Sequence, residues 1–111
     1  MRECKLYLND IQEAVNKILV YTKGYTYKKF SSDDRTIDAV IRNLEVIGEA
    51  SRHIPKKLRD RYPEVDWQAM VGLRNIVAHE YFGVDLKIIW KTIKERLPEL
   101  SKHLEKIIAE L

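Results

Sequence analysis

The chain has 111 residues, which suits one domain spanning residues 1–111 and leaves no room for a second core. Hydrophobic residues make up 45% and charged residues 33%, which excludes a disordered chain; four glycines and three prolines are few for the turns of a many-stranded sheet. A formal net charge of +3, from 20 basic and 17 acidic residues, permits nucleic-acid binding without requiring it.

Cys4 is the only cysteine, so the chain cannot close an internal disulfide or build a cysteine-based zinc cluster. The opening Met1-Arg2-Glu3-Cys4-Lys5 is charged, and no signal-peptide core follows it. No run approaches the roughly 18 apolar residues that span a bilayer. The expectation is a cytoplasmic protein with no membrane association.

Leu8, Ile11, Val15, Ile18 and Leu19 recur at spacings of three and four, which predicts a helix from about Lys5 to Lys23 stopped at Gly24. Tyr25–Phe30 has strand-like composition but no partner to pair with, and reads as a loop packed by its aromatic rings. Ser31-Ser32-Asp33 offers side-chain acceptors for the next helix, whose apolar face is Ile37, Val40, Ile41, Leu44, Ile47 and Ala50. Gly48 inside this run costs about 1 kcal/mol against alanine, and marks either a close helix crossing or a tolerated glycine. Pro55 starts a short helical turn through Arg61, which Pro63 ends.

Asp66 can cap a third main helix beginning at Trp67, with Met70, Leu73 and Val77 as its core stripe. Gly83 interrupts, and Asp85 can cap a fourth helix carrying Leu86, Ile89, Trp90, Ile93 and Leu97. Pro98 cannot donate to the carbonyl of Lys94 and crowds that turn, so this helix must end or bend there. Leu100, Leu104, Ile107, Ile108 and Leu111 continue an amphipathic helix to the end. The sum is an all-α antiparallel four-helix bundle with a short additional helical segment and a C-terminal helix bent or broken at Pro98.

Two features suggest chemistry. Arg52, His53, Lys56, Lys57, Arg59 and Arg61 meet only Asp60 within their run, which gives either an RNA-facing surface or an ordinary solvated face. The second feature is Arg74, Asn75 and His79 late in the third helix. On an ideal helix Asn75 and His79 share a face, whereas Arg74 and His79 stand about 140° apart. They could flank a groove or meet a second copy across a two-fold axis. Metal-free RNA cleavage suits these groups. A histidine can exchange a proton with a 2′-hydroxyl or a leaving oxygen, and a guanidinium can grip a phosphate through two parallel hydrogen bonds. Asn75 could orient His79, and Tyr81 adds a hydroxyl and a stacking ring. By spacing alone Arg-Asn-x-x-x-His is a weak signal, and a histidine at a helix end is more often a cap or a surface group. His53 and His103 read as surface histidines, and Trp67 and Trp90 as core. The sequence holds neither a His-Glu-x-x-His zinc motif nor a glycine-rich phosphate loop.

The segment Arg74-Asn75-x-x-x-His79-x-Tyr81 resembles the signature of HepT-type HEPN-domain toxins. So do Tyr7-Leu8-x-Asp10-Ile11, the run from Arg42 to Ala50 with Ile47-Gly48-Glu49-Ala50, Trp67, Val84-Asp85, Trp90 and Leu97-Pro98, and together they cover almost the whole chain. The resemblance implies a HEPN-type helical bundle that forms a homodimer with a shared cleft. It implies a metal-independent endoribonuclease toxin of a type VII-like toxin–antitoxin pair, with no cofactor required for cleavage. The implied partner is an MntA-like nucleotidyltransferase antitoxin that uses ATP to add AMP to a tyrosine. Carried over by position, Arg74 and His79 are catalytic, Asn75 supports the site, and Tyr81 is the modification target. Asp10 and Glu49 would line or support the cleft. The alternative is a noncatalytic helical binding module that captures a nucleotidyltransferase or a nucleotide.

Overall fold

The periodic apolar stripes fold as helices. The computed structural model describes residues 2–80 and 86–111, with the backbone alone given for Arg2 and residues 77–80. Helix α1 spans Arg2–Tyr21 and buries Leu8, Ile11, Val15 and Ile18 completely. Gly24 follows it with φ +77°, and a Cβ placed there would meet nothing within 4 Å. The glycine is therefore needed for its backbone conformation and not for space.

The segment expected to be a loop instead contains a one-turn helix, α2 (Tyr27–Ser31). Thr26 caps it by accepting from the Lys29 amide at 3.1 Å, and Phe30 is fully buried and stacked on Trp90 with ring centroids 5.1 Å apart. Five residues are too few to show a helical period, so only the cap and the tertiary contact define it.

Helix α3 (Asp34–Arg52) starts where the sequence placed its cap. The Asp33 carboxylate accepts from the Thr36 amide (3.2 Å), the Thr36 hydroxyl (2.7 Å) and the Tyr25 hydroxyl (2.8 Å). The Thr36 hydroxyl first, and Tyr25 next, hold its pKa below the ordinary 3.8. A depressed carboxylate pKa means that the unfolded chain binds this proton more readily. Its stabilising contribution is complete above the unfolded value and is lost as pH falls through the lower folded value. Thermal melts should show a steeper loss of stability on acidification below about pH 4 for the native chain than for Asp33→Asn, which keeps an acceptor but cannot titrate. Equal slopes would remove Asp33 from the acid response.

Helix α4 (Lys56–Arg61) begins directly after Pro55. It is fastened to the end of α3 by Arg59, which donates to the carbonyls of Ile54 (2.9 Å) and Ser51 (2.7 Å). Helix α5 (Trp67–Glu80) is capped by Asp66, which accepts from the Ala69 amide at 3.0 Å. Trp67 is buried and donates to the carbonyl of Tyr62 at 3.0 Å. Gly83 and the proposed Asp85 cap lie outside the described residues. Helix α6 (Leu86–Lys91) leads into a π-helical turn over Thr92–Arg96, and α7 (Leu97–Glu110) completes the chain. The interruption expected at Pro98 takes this form: the amide of Leu97 donates to Thr92, five residues back, widening the backbone before the proline ring.

Among the described residues there is no strand, and the architecture is an all-α bundle. Helix α3 is central, packed against α1, α5 and α2, while α1 also packs on α7. Tyr7 near the start of α1 meets His53 just past the end of α3, so these two helices run in opposite directions. Between α5 and α7 a groove of about 810 Å³ remains, floored by Met70, Leu73, Ile76, Leu97 and Leu100. None of the described helices is long and apolar enough to cross a membrane.

Candidate active site

The helical backbone of α5 is unbroken through Glu80, so Arg74, Asn75 and His79 do share one helix. Their backbone positions put Asn75 and His79 on one face and leave Arg74 about 140° from His79. The side chain of His79 and all of Tyr81 lie outside the described residues. Asn75 is exposed.

Arg74 is placed by α3. A Cβ built on Gly48 would lie 2.6 Å from Arg74 Cγ and 3.2 Å from Arg74 N, so α3 and α5 approach to a distance that only glycine permits. Of the two readings of Gly48, the close crossing holds. The next residue, Glu49, receives the head of the same side chain: its Oε2 lies 3.0 Å from Arg74 Nη1. Its Oε1 lies 3.2 Å from Arg52 Nη2 and 3.4 Å from His53 Nε2. The His53 ring is stacked on Tyr7, with centroids 4.8 Å apart and planes 10° from parallel. One carboxylate thus gathers a cationic group from α5 and two basic side chains from the end of α3.

Arg74 and Glu49 are each about half exposed, at 50% and 47%. Ion pairs with that much solvent contact contribute roughly 0–1 kcal/mol. Stability is therefore a poor reason for the arrangement; a guanidinium presented to solvent in a fixed place is suited to holding a phosphate.

Glu49 joins the site by direct contact. Asp10 is exposed on α1 and makes none of these contacts. The structure also separates the basic cluster. Arg52 joins Glu49, and Arg59 is turned onto backbone carbonyls. Lys56 pairs with Asp60 at 2.9 Å, and Arg61 lies over the Tyr62 ring. Lys57 is exposed. Two further residues join the site: His53, which the sequence placed only in the basic run and as a surface histidine, and Tyr7, which had no site role. For His53 a signal was present: Glu49 stands four residues before it on the same helix, a spacing that brings side chains together. Tyr7 had no such signal, because its contact crosses between helices. Among the described residues no three His, Cys, Asp or Glu side chains gather where they could hold a metal ion.

The HepT-like family, described as ribonuclease HepT-like, matches residues 11–107. The chain belongs to the HepT-like ribonuclease family. A protein of Methanocaldococcus jannaschii that carries a provisional RNase name is 45% identical over 104 residues, covering 94% of this chain and 95% of that protein. A probable ribonuclease HepT of Thermococcus cleftensis is 43% identical over 106 residues, covering 96% of each. A third relative with a provisional RNase name, from Caldanaerobacter subterraneus subsp. tengcongensis, is 36% identical over 108 residues, covering 97% of this chain and 96% of its own. No solved structure matches the chain. The HepT-like match spans α3 and α5, and therefore the crossing at which Gly48 and Glu49 meet Arg74.

Proposed function

We propose that this chain is an endoribonuclease that cleaves RNA without a metal ion, with Arg74 and His79 as its catalytic residues. The observation that carries the reading is Arg74, fixed at a helix crossing yet half exposed, about 1.4 helical turns before His79, in a chain of a ribonuclease family.

In this reading His79 removes the proton of a 2′-hydroxyl, and the 2′-oxygen attacks the adjacent phosphorus. The 5′-oxygen of the next nucleotide leaves and takes up a proton. Arg74 carries the charge that builds on the phosphoryl oxygens. The products are a 2′,3′-cyclic phosphate and a 5′-hydroxyl end. Purified protein in excess EDTA should convert RNA to such ends. A preparation that leaves RNA intact, or leaves 3′-hydroxyl ends, would overturn the reading.

The separation of Arg74 and His79 around α5 supports a site shared by two copies of the chain, one offering its arginine and the other its histidine. As a toxin in the cell it would be neutralised by an MntA-like nucleotidyltransferase that transfers AMP from ATP to the Tyr81 hydroxyl, releasing pyrophosphate. The new phosphate would compete for Arg74, and the nucleotide would fill space that RNA needs. Tyr81→Phe keeps the ring and lacks the acceptor oxygen. It should stay active after incubation with transferase and ATP, while the native chain gains the mass of AMP on the Tyr81 peptide and loses activity. Inactivation with Tyr81 unmodified would replace this switch by simple capture.

A further inference from the structure

The guanidinium of Arg74 has two hydrogen-bonding edges, and its surroundings treat them differently. Glu49 Oε2 lies 3.0 Å from Nη1. Among the described residues nothing takes the Nε–Nη2 edge, which is the side-on pair of parallel donors that matches two oxygens of a phosphate. The stem is fixed separately: Gly48 lets Arg74 Cγ settle against α3, where a Cβ would come within 2.6 Å. Two neighbouring residues of one helix thus meet this arginine, Gly48 at its stem and Glu49 at one end of its head.

Glu49 is itself held. Its second oxygen lies 3.2 Å from Arg52 Nη2 and 3.4 Å from His53 Nε2, and His53 is steadied by stacking on Tyr7. With Arg52 and Arg74 each charged, the single carboxylate leaves the cluster net positive, so it can orient Arg74 without cancelling attraction for RNA.

From this geometry we infer that Glu49 is the positioning residue of the site: it binds Arg74 through Nη1 so that the Nε–Nη2 edge faces the scissile phosphate of RNA. The inference rests on the ribonuclease reading above. Glu49 touches no reacting atom and acts only through Arg74.

Glu49→Gln keeps the length and shape of the side chain and removes the charge. Steady-state cleavage by this variant should show kcat lower by about tenfold to a hundredfold, the scale on which misplacing a catalytic group costs rate. KM should be unchanged or lower, because a negative charge has left the RNA-facing surface. In an Arg74→Ala background the same substitution should change kcat by less than about twofold, since nothing is left to position. A merely structural role would lower activity by the same factor in both backgrounds. An independent measurement is the NMR resonance of Arg74 Nε–H: restricted rotation about the guanidinium in the native chain should be released in Glu49→Gln. If the native chain cleaves RNA, Arg74→Ala is crippled and Glu49→Gln is as fast as native, the positioning role is wrong and the ribonuclease reading stands. If the native chain does not cleave RNA, that reading falls. The Arg74 resonance then decides alone, and no change on Glu49→Gln removes the positioning role as well.

Discussion

His79→Ala is expected to lower RNA cleavage by about 10²–10⁴-fold, the range that a positioned general acid or base supplies. Helix α5 runs through Glu80, so residue 79 sits in helical backbone, where alanine is the most favourable substitute. The variant should keep its helical spectrum and its mass in solution, so that a fall in rate reports chemistry and not unfolding. The arrangement of α5 adds a second arm. If each site takes Arg74 from one copy and His79 from the other, mixing the crippled His79→Ala and Arg74→Ala variants recovers activity, because half-and-half dimers rebuild one intact site. If both residues act within one copy, the mixture is no faster than its components. Full activity of His79→Ala, with contaminating nucleases excluded, would end the proposed role of this residue.

Gly48→Ala is the smallest substitution that should do large damage, with cleavage falling by about 10²-fold, the cost of shifting a reacting group by about an ångström. The added methyl would stand 2.6 Å from Arg74 Cγ and 3.2 Å from Arg74 N, closer than packed carbon atoms come. Two effects oppose each other in stability. Alanine gains about 1 kcal/mol over glycine in a helix interior, and overpacking at a tight crossing costs about 1–3 kcal/mol. The net loss should be about 0–2 kcal/mol, which leaves the chain folded at assay temperature while single-turnover cleavage falls greatly. A further Arg74→Ala substitution should cost little more, because Arg74 is already displaced. Native activity in Gly48→Ala would show that α3 does not place the arginine.

Much of the fold can be read locally. The stripes of α1, α3 and α7 repeat over many turns, so burial of one face is written into residue spacing. Asp33 and Asp66 cap α3 and α5 through backbone amides three residues away, within reach of a sequence pattern. Pro55 starts α4 because its fixed φ suits a helix entry, and Gly24 follows α1 because it can take a positive φ. Helix α2 escaped because one turn has no period and depends on Phe30 finding Trp90. The proline at position 98 announces a disturbance, but whether the chain breaks, kinks or widens into a π turn depends on the packing that keeps α6 and α7 in place.

For the candidate site, residue spacing is enough to put Arg74, Asn75 and His79 on one helix and to say how far apart they lie around it, because the rotation per residue is a property of the backbone. It also marked Gly48 as a place where two helices could cross. Helix packing alone brings Arg74 onto Gly48, its Nη1 to Glu49, and Tyr7 and His53 into the same cluster. Those contacts join α1, α3 and α5. They depend on the depth and rotation at which the helices pack, and no spacing within a single helix encodes either quantity.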